Sequence, residues 1–163
     1  MQYTLSILVE NQAGVLSKIS GLFSRRGFNI DSLAVGVTSD PNVSRITIVA
    51  NGDEYVVEQL EKQLNKVIPV IKVKRLIEGE FISRELILIK VHCAPSKRAE
   101  IIKTAEIMQA KIVDASPSSV TVEYCEMSSR VKTLIDMLKP YGIREIVRTG
   151  TIAIDKGNSA VSV

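Results

Sequence analysis

The sequence predicts an α+β chain in which one β-α-β-β-α-β unit is laid out twice in tandem. Three observations carry that prediction. Apolar residues switch between period two and period 3.6 in the same order in each half, and turn-forming residues stand at the switches. A charged stretch, Glu78-Gly79-Glu80, then separates the halves, and 163 residues suit two small domains.

In the first half, Tyr3, Leu5, Ile7 and Val9 alternate as a strand should. The loop Glu10 to Gly14 opens a helix whose apolar face is Val15, Leu16, Ile19, Leu22 and Phe23. Arg25 and Arg26 suit the negative end of its dipole, and Gly27 stands at the C-terminal cap. A strand follows from Asn29 to Thr38, then the turn Ser39-Asp40-Pro41-Asn42, then a strand from Val43 to Ala50. Asp53 is placed to cap a second helix lined by Val56, Val57, Leu60 and Leu64, and Val70 to Leu76 supplies the fourth strand.

The second half repeats the order. Leu86 to Val91 is a strand, and Pro95 opens a helix faced by Ile101, Ile102, Ala105 and Met108. Lys111 to Ala115 and Val120 to Tyr124 form a strand pair around Ser116-Pro117-Ser118-Ser119. Val131, Leu134, Ile135 and Leu138 face the last helix, which Pro140-Tyr141-Gly142 stops, and Ile143 to Ile154 reads as one final strand. Each half is therefore a ferredoxin-like βαββαβ domain. The expected divisions are a first domain over 1–77, a linker over 78–83 and a second domain over 84–163. Each unit has about 75 residues and leaves one sheet face and two edges to be covered, which predicts association, most simply as a homodimer.

Composition narrows the function. Hydrophobic residues make up 45% and charged residues 24%, an ordinary globular balance, while aromatics at 4% and no Trp leave few stacking platforms for single-stranded nucleic acid. The net charge of +3 is spread rather than clustered, which does not favour a nucleic-acid partner. The start MQYTLSILVENQ has no basic segment before a long apolar run, and no apolar run approaches a membrane span. With two cysteines a disulfide framework is not expected, so a reducing, cytoplasmic setting is. Neither a P-loop nor a Rossmann glycine pattern is present.

The informative stretch is a strand, a short polar loop and a helix start, Leu8 to Leu16, with Gly27-Phe28-Asn29-Ile30 beyond it. The first amides of a helix lack internal partners and carry partial positive charge, so they accept a carboxylate. Gly14 lets a ligand approach the backbone, Asn11 and Asn29 offer amides, and Val15, Leu16 and Ile30 offer aliphatic contact. Ala13 completes the candidate loop, and Ser17 is a secondary candidate one turn into the helix. Together these suit a small aliphatic amino acid, although each residue singly also fits a cap, a turn or a connector.

Other polar residues are read as structural. His92 and Cys93 are neighbours that should point to opposite faces, Cys93 and Cys125 read as core residues, and no metal site is expected. Glu78, Glu80 and Glu85 read as a solvated connector. Arg25, Arg26, Lys97 and Arg98 read as exposed helix charges.

The run Glu-Asn-Gln-Ala-Gly-Val-Leu at 10–16, followed by Ile-Ser-Gly-Leu-Phe-Ser-Arg-Arg-Gly-Phe-Asn-Ile-Asp-Ser-Leu at 19–33, closely resembles the start of an ACT domain. More narrowly it resembles the regulatory (small) subunits of acetohydroxyacid synthase, also called acetolactate synthase. The likeness continues through Ser39-Asp40-Pro41, Ser44-Arg45, residues 57–64 and Arg84-Glu85-Leu86, and is weaker in the second half. The resemblance implies a non-catalytic subunit that dimerises through its ACT domains. It also implies association with a catalytic large subunit, which it activates and subjects to feedback inhibition by branched-chain amino acids, typically valine. Thiamine diphosphate, magnesium and FAD would belong to that partner, leaving no cofactor in this chain. The carboxylate of the effector would rest on Gly14, Val15 and Leu16 with Asn11 beside it, and Asn29 and Ile30 would come from the neighbouring chain. The rival readings are a free-standing ACT-type sensor acting on another enzyme or on transcription, and a small enzyme on the same fold. No helix-turn-helix, basic arm or catalytic motif promotes either.

Overall fold

A computed structural model describes residues 1–163. It divides into two compact units, Met1–Ile82 together with Thr151–Val163, and Ser83–Gly150. The C-terminal segment, expected at the end of the second domain, thus belongs to the first. The expected linker over 78–83 also differs, because strand structure already begins at Phe81.

In the first unit, β1 (Gln2–Glu10), α1 (Val15–Arg25), β2 (Ile30–Val37), β3 (Val43–Asn51), α2 (Glu54–Leu64) and β4 (Val70–Leu76) follow the expected order. The antiparallel sheet runs β2-β3-β1-β4, so β2 and β4 are its edges. The alternating residues Leu5, Ile7 and Val9 join Ile46, Ile48 and Ala50 on the inner face, where Ile19, Phe23, Leu60 and Leu64 pack against them.

The two helices of this unit are ended differently. At the end of α1, the Phe28 amide donates to the Phe23 carbonyl (3.0 Å) and the Gly27 amide to that of Ser24 (3.1 Å). This pairing requires the left-handed φ of +71° that Gly27 adopts. The rings of Phe23 and Phe28 then meet edge to face at 6.2 Å, closing the hydrophobic contact that accompanies such a cap. At the start of α2, the Asp53 carboxylate accepts from the Tyr55 amide at 2.9 Å. Asp53→Ala is expected to lower unfolding free energy by about 1 kcal/mol, read as a lower urea midpoint at constant slope.

The outer face of this sheet is covered by the chain's own C-terminal segment. Val161 packs with Leu8 and Val43. Lys74 Nζ bonds the Asp155 carboxylate (2.8 Å) and Ser159 Oγ (2.9 Å), and Lys72 Nζ donates to the Ser162 carbonyl (3.1 Å). Leu8 and Val43 fall out of the inward alternation and are apolar for this reason.

The second unit is built from β5 (Phe81–His92), α3 (Arg98–Met108), β6 (Lys111–Ala115), β7 (Ser119–Glu126), α4 (Ser128–Leu138) and β8 (Ile143–Arg148). Its sheet order, β6-β7-β5-β8, reproduces that of the first unit. Ile87, Ile89, Val91, Val120, Val122 and Tyr124 meet Ile101, Ala105, Val131, Leu134 and Leu138 in its core. The predicted strand over 143–154 is broken at Thr149–Thr151, where Gly150 has φ +84°, and resumes as β9 (Ile152–Asp155). β9 pairs with β5, whose first two residues belong to the first unit.

Three single-residue readings come out differently or more sharply. Glu85 is only 3% exposed and holds Arg148 through both carboxylate oxygens, so it is no solvated connector. Burying that carboxylate is tolerable because the guanidinium fork satisfies it. Cys125 is exposed, since it stands opposite Leu86 on the sheet face away from the helices, whereas Cys93 lies in the core as expected. His92 is exposed and its Nδ1 lies 2.9 Å from Arg144 Nη2, turned away from Cys93.

Candidate effector site

The loop between β1 and α1 is pinned from below. The Asn11 amide donates to the Asn42 carbonyl at 2.7 Å, and its side-chain Nδ2 donates to the Pro41 carbonyl at 3.0 Å. The Asn11 side chain thus fixes the loop to the turn before β3 and uses one of its two N–H donors in doing so. Ala13 and Gly14 are exposed at the crest. Gly14 holds φ +83° and ψ −8°, and an added Cβ would meet nothing within 4 Å. The backbone there is bare on its outer side.

α1 begins without a cap. No side chain accepts from its first amides and its first turn contains no acid, in contrast to α2, which has Asp53 and Glu54. The partial positive charge of this helix end is therefore left for an anion. Val15 is buried in the core, while Leu16 remains 44% exposed beside the loop and Ser17 is exposed. Val15 consequently offers its backbone, and Leu16 offers both backbone and side chain.

Asn29 and Ile30 lie elsewhere. They follow α1, whose 11 residues span about 16 Å, and Ile30 pairs with Ala50, whereas Glu10 pairs with Val43 at the opposite end of the sheet. Asn29 is exposed, with Nδ2 donating to Asp31 at 3.2 Å, and Ile30 is half-buried against the core. Within one chain the structure brings Asn11, Ala13, Gly14, Val15 and Leu16 together and leaves Asn29 and Ile30 at the far end.

The edge strand between these two ends supplies what the sequence reading missed. Leu33, Val35 and Val37 share the helix-side face of β2, but Val35 and Val37 are 48% and 59% exposed. Their alternation reads as core-facing, and only the strand's position at the sheet edge leaves them bare.

The remaining polar features lie apart from this loop. A cleft of about 430 Å³ is lined by Lys74, Asp155, Lys156 and Ser159, but Lys74 is held by Asp155 and Ser159, and Lys156 Nζ by the Gly79 carbonyl. Side chains with shifted titration are scattered along the chain, from Tyr3 on β1 to Asp136 on α4. Burial pushes the Glu61 carboxyl up on α2. Hydrogen bonds from Lys97 and Tyr141 hold Glu100 down on α3, and one from Lys139 holds Asp136 down on α4.

The first unit is a βαββαβ domain with an uncapped first helix behind a glycine crest, and its match to a family model makes it an ACT domain. Residues 5–72 match the family model described as the acetohydroxyacid synthase small subunit-like ACT domain, and residues 84–157 match the model for the small subunit of acetolactate synthase. The chain belongs to the acetolactate synthase small-subunit family. It is 49% identical to a probable acetolactate synthase small subunit of Archaeoglobus fulgidus, over 97% of this chain and 99% of that one. It is 46% identical to the acetolactate synthase small subunit of Mycolicibacterium smegmatis, over 95% and 91% of the two chains. The crystal structure of the small subunit from Thermotoga maritima superposes with a TM-score of 0.89 at 37% identity, covering 98% of this chain and 99% of that one.

Proposed function

We propose that this chain is the regulatory subunit of an acetolactate synthase, activating a catalytic large subunit and conferring feedback inhibition by a branched-chain amino acid, valine first among them. The observation that carries this reading is the division of the site between opposite ends of an exposed aliphatic edge. Antiparallel pairing of β2 with β2 of a second copy reverses one strand against the other. In a register centred near Ala34, the second copy's Asn29 comes to about Ser39, next to the turn that Asn11 holds. A carboxylate on the uncapped start of α1, an amide from the second copy and an aliphatic wall of Leu16 and Ile30 then complement a small apolar amino acid.

Binding across such a dimer regulates only if it favours one arrangement of the subunits, and the same coupling free energy must appear at the catalytic interface. The thiamine diphosphate, magnesium and flavin are assigned to the catalytic partner, as is the cytoplasmic setting to the assembly as a whole.

The test joins oligomeric state to binding. The wild-type chain is expected to sediment as a dimer and bind valine saturably, and in the holoenzyme to transmit inhibition. The double variant Val35→Lys, Val37→Lys is expected to sediment as a monomer, through like-charge repulsion along the edge, and to lose valine binding by more than about 30-fold, roughly 2 kcal/mol. A monomeric variant that binds valine like the wild type would count against the shared site.

A further inference from the structure

The chain leaves the first unit after Ile82 and returns to it at Thr151. The returning residue is buried, 6% exposed, and its backbone amide donates to Ser32 Oγ at 2.6 Å. Ser32 is no arbitrary point on the sheet. It lies two residues beyond Ile30, at the register shift where β2 departs from regular pairing with β3. Asp31, the residue passed over at that shift, contacts both Asn29 and Asn51. A bulge is a place where a strand bends and where the direction of neighbouring side chains is set. The hydroxyl that accepts from Thr151 is therefore fixed to the segment that aims Asn29 and Ile30.

Beyond Thr151 the same segment is anchored across the outer face, through Asp155 and Ser159 on Lys74, Ser162 on Lys72 and Val161 on Leu8. These anchors hold the segment to β1, β3 and β4. The hydrogen bond from Thr151 to Ser32 ties the segment to β2 as well. On the other side of Thr151 stand Gly150, with φ +84°, and then β8 of the second unit. The segment is thus tied to the edge strand β2 at Thr151 and to β1, β3 and β4 beyond it, and Thr151 is the residue at which the chain re-enters the first unit after β8.

We propose that the Ser32–Thr151 hydrogen bond couples the effector-binding strand to the second unit, making Ser32 a positioning residue for regulation rather than a ligand of the effector. The inference rests on the function proposed above and deepens it. It divides the response into two separable quantities: effector affinity, set by the loop and by Asn29 and Ile30, and the extent of inhibition, which passes through Ser32. A coupling claim of this kind needs a measured coupling and not merely an intermediate position.

The experiment uses the full chain reconstituted with its catalytic large subunit. Ser32→Ala removes the acceptor, and Ser32→Thr keeps a hydroxyl at the same position. For each, valine binding is measured by calorimetry and residual holoenzyme activity at saturating valine is measured in parallel. Ser32→Ala is expected to bind valine within about threefold of the wild type while losing at least half of the maximal inhibition, and Ser32→Thr to restore it. Full inhibition in Ser32→Ala overturns the coupling role. Loss of valine binding in Ser32→Ala also overturns it, because Ser32 would then serve the pocket itself. A wild-type chain that neither binds valine nor transmits inhibition overturns the proposed function, and this inference falls with it. That failure appears in the wild type, whereas failure of the coupling alone appears only in the variant.

Discussion

Gly14→Asp is expected to abolish valine binding, with affinity falling at least about 100-fold, roughly 2.8 kcal/mol. The reason is electrostatic more than steric. An added Cβ at Gly14 meets no atom within 4 Å, so the side chain enters open space beside the uncapped helix start. Its carboxylate competes for the partial positive charge that would hold the effector's own carboxylate and repels it across a few ångströms. The left-handed φ of +83° adds conformational strain of about 1 kcal/mol, which an aspartate or asparagine accommodates better than most residues. Gly14→Asn carries the same bulk and strain without the charge. It is expected to lose less than about tenfold in affinity. Calorimetry on both variants, with circular dichroism to establish that the fold is intact, separates the two causes. Equal losses in the two would show that conformation, not charge, governs the site.

Phe23→Ala is expected to lower the unfolding free energy by about 3–5 kcal/mol. Phe23 is fully buried, at 0% exposure, at the centre of the first core cluster. It also supplies two parts of the helix end: the carbonyl that receives the Phe28 amide, and the ring against which Phe28 packs. The truncation leaves the backbone bond possible but removes its hydrophobic lock and opens a cavity under the turn leading to Asn29 and Ile30. The effect should thus appear twice, as a lower urea midpoint and as weaker effector binding under conditions where the variant is folded. Phe23→Leu keeps most of the volume and is expected to recover the larger part of both. A loss below about 1 kcal/mol would show that neighbouring side chains refill the site.

The two variants act at opposite ends of the same helix, and the sequence announced those ends unequally. Gly27 and Asp53 each perform the capping role their types suggest, because capping is a local interaction among a few consecutive residues. The crest at Gly14 was legible for the same reason. Cys125 and Glu85 were misread because their surroundings are set by partners distant in sequence: Leu86 across the sheet for one, Arg148 on a different strand for the other. Val35 and Val37 carry the alternation of a core strand, and nothing local states that their strand has no neighbour on one side.

What the sequence by itself determined is the order of elements, the inner face of each sheet and the loop-helix junction at Asn11 to Leu16. Each follows from periodicity or capping within a dozen residues. Only the tertiary structure decided that residues 151–163 complete the first unit, that Leu8 and Val43 are apolar to receive Val161, and that Asn29 and Ile30 stand a helix length away from Gly14. The physical reason is that these depend on which segments meet through space, and a hydrophobic period records that a face is covered without recording by what.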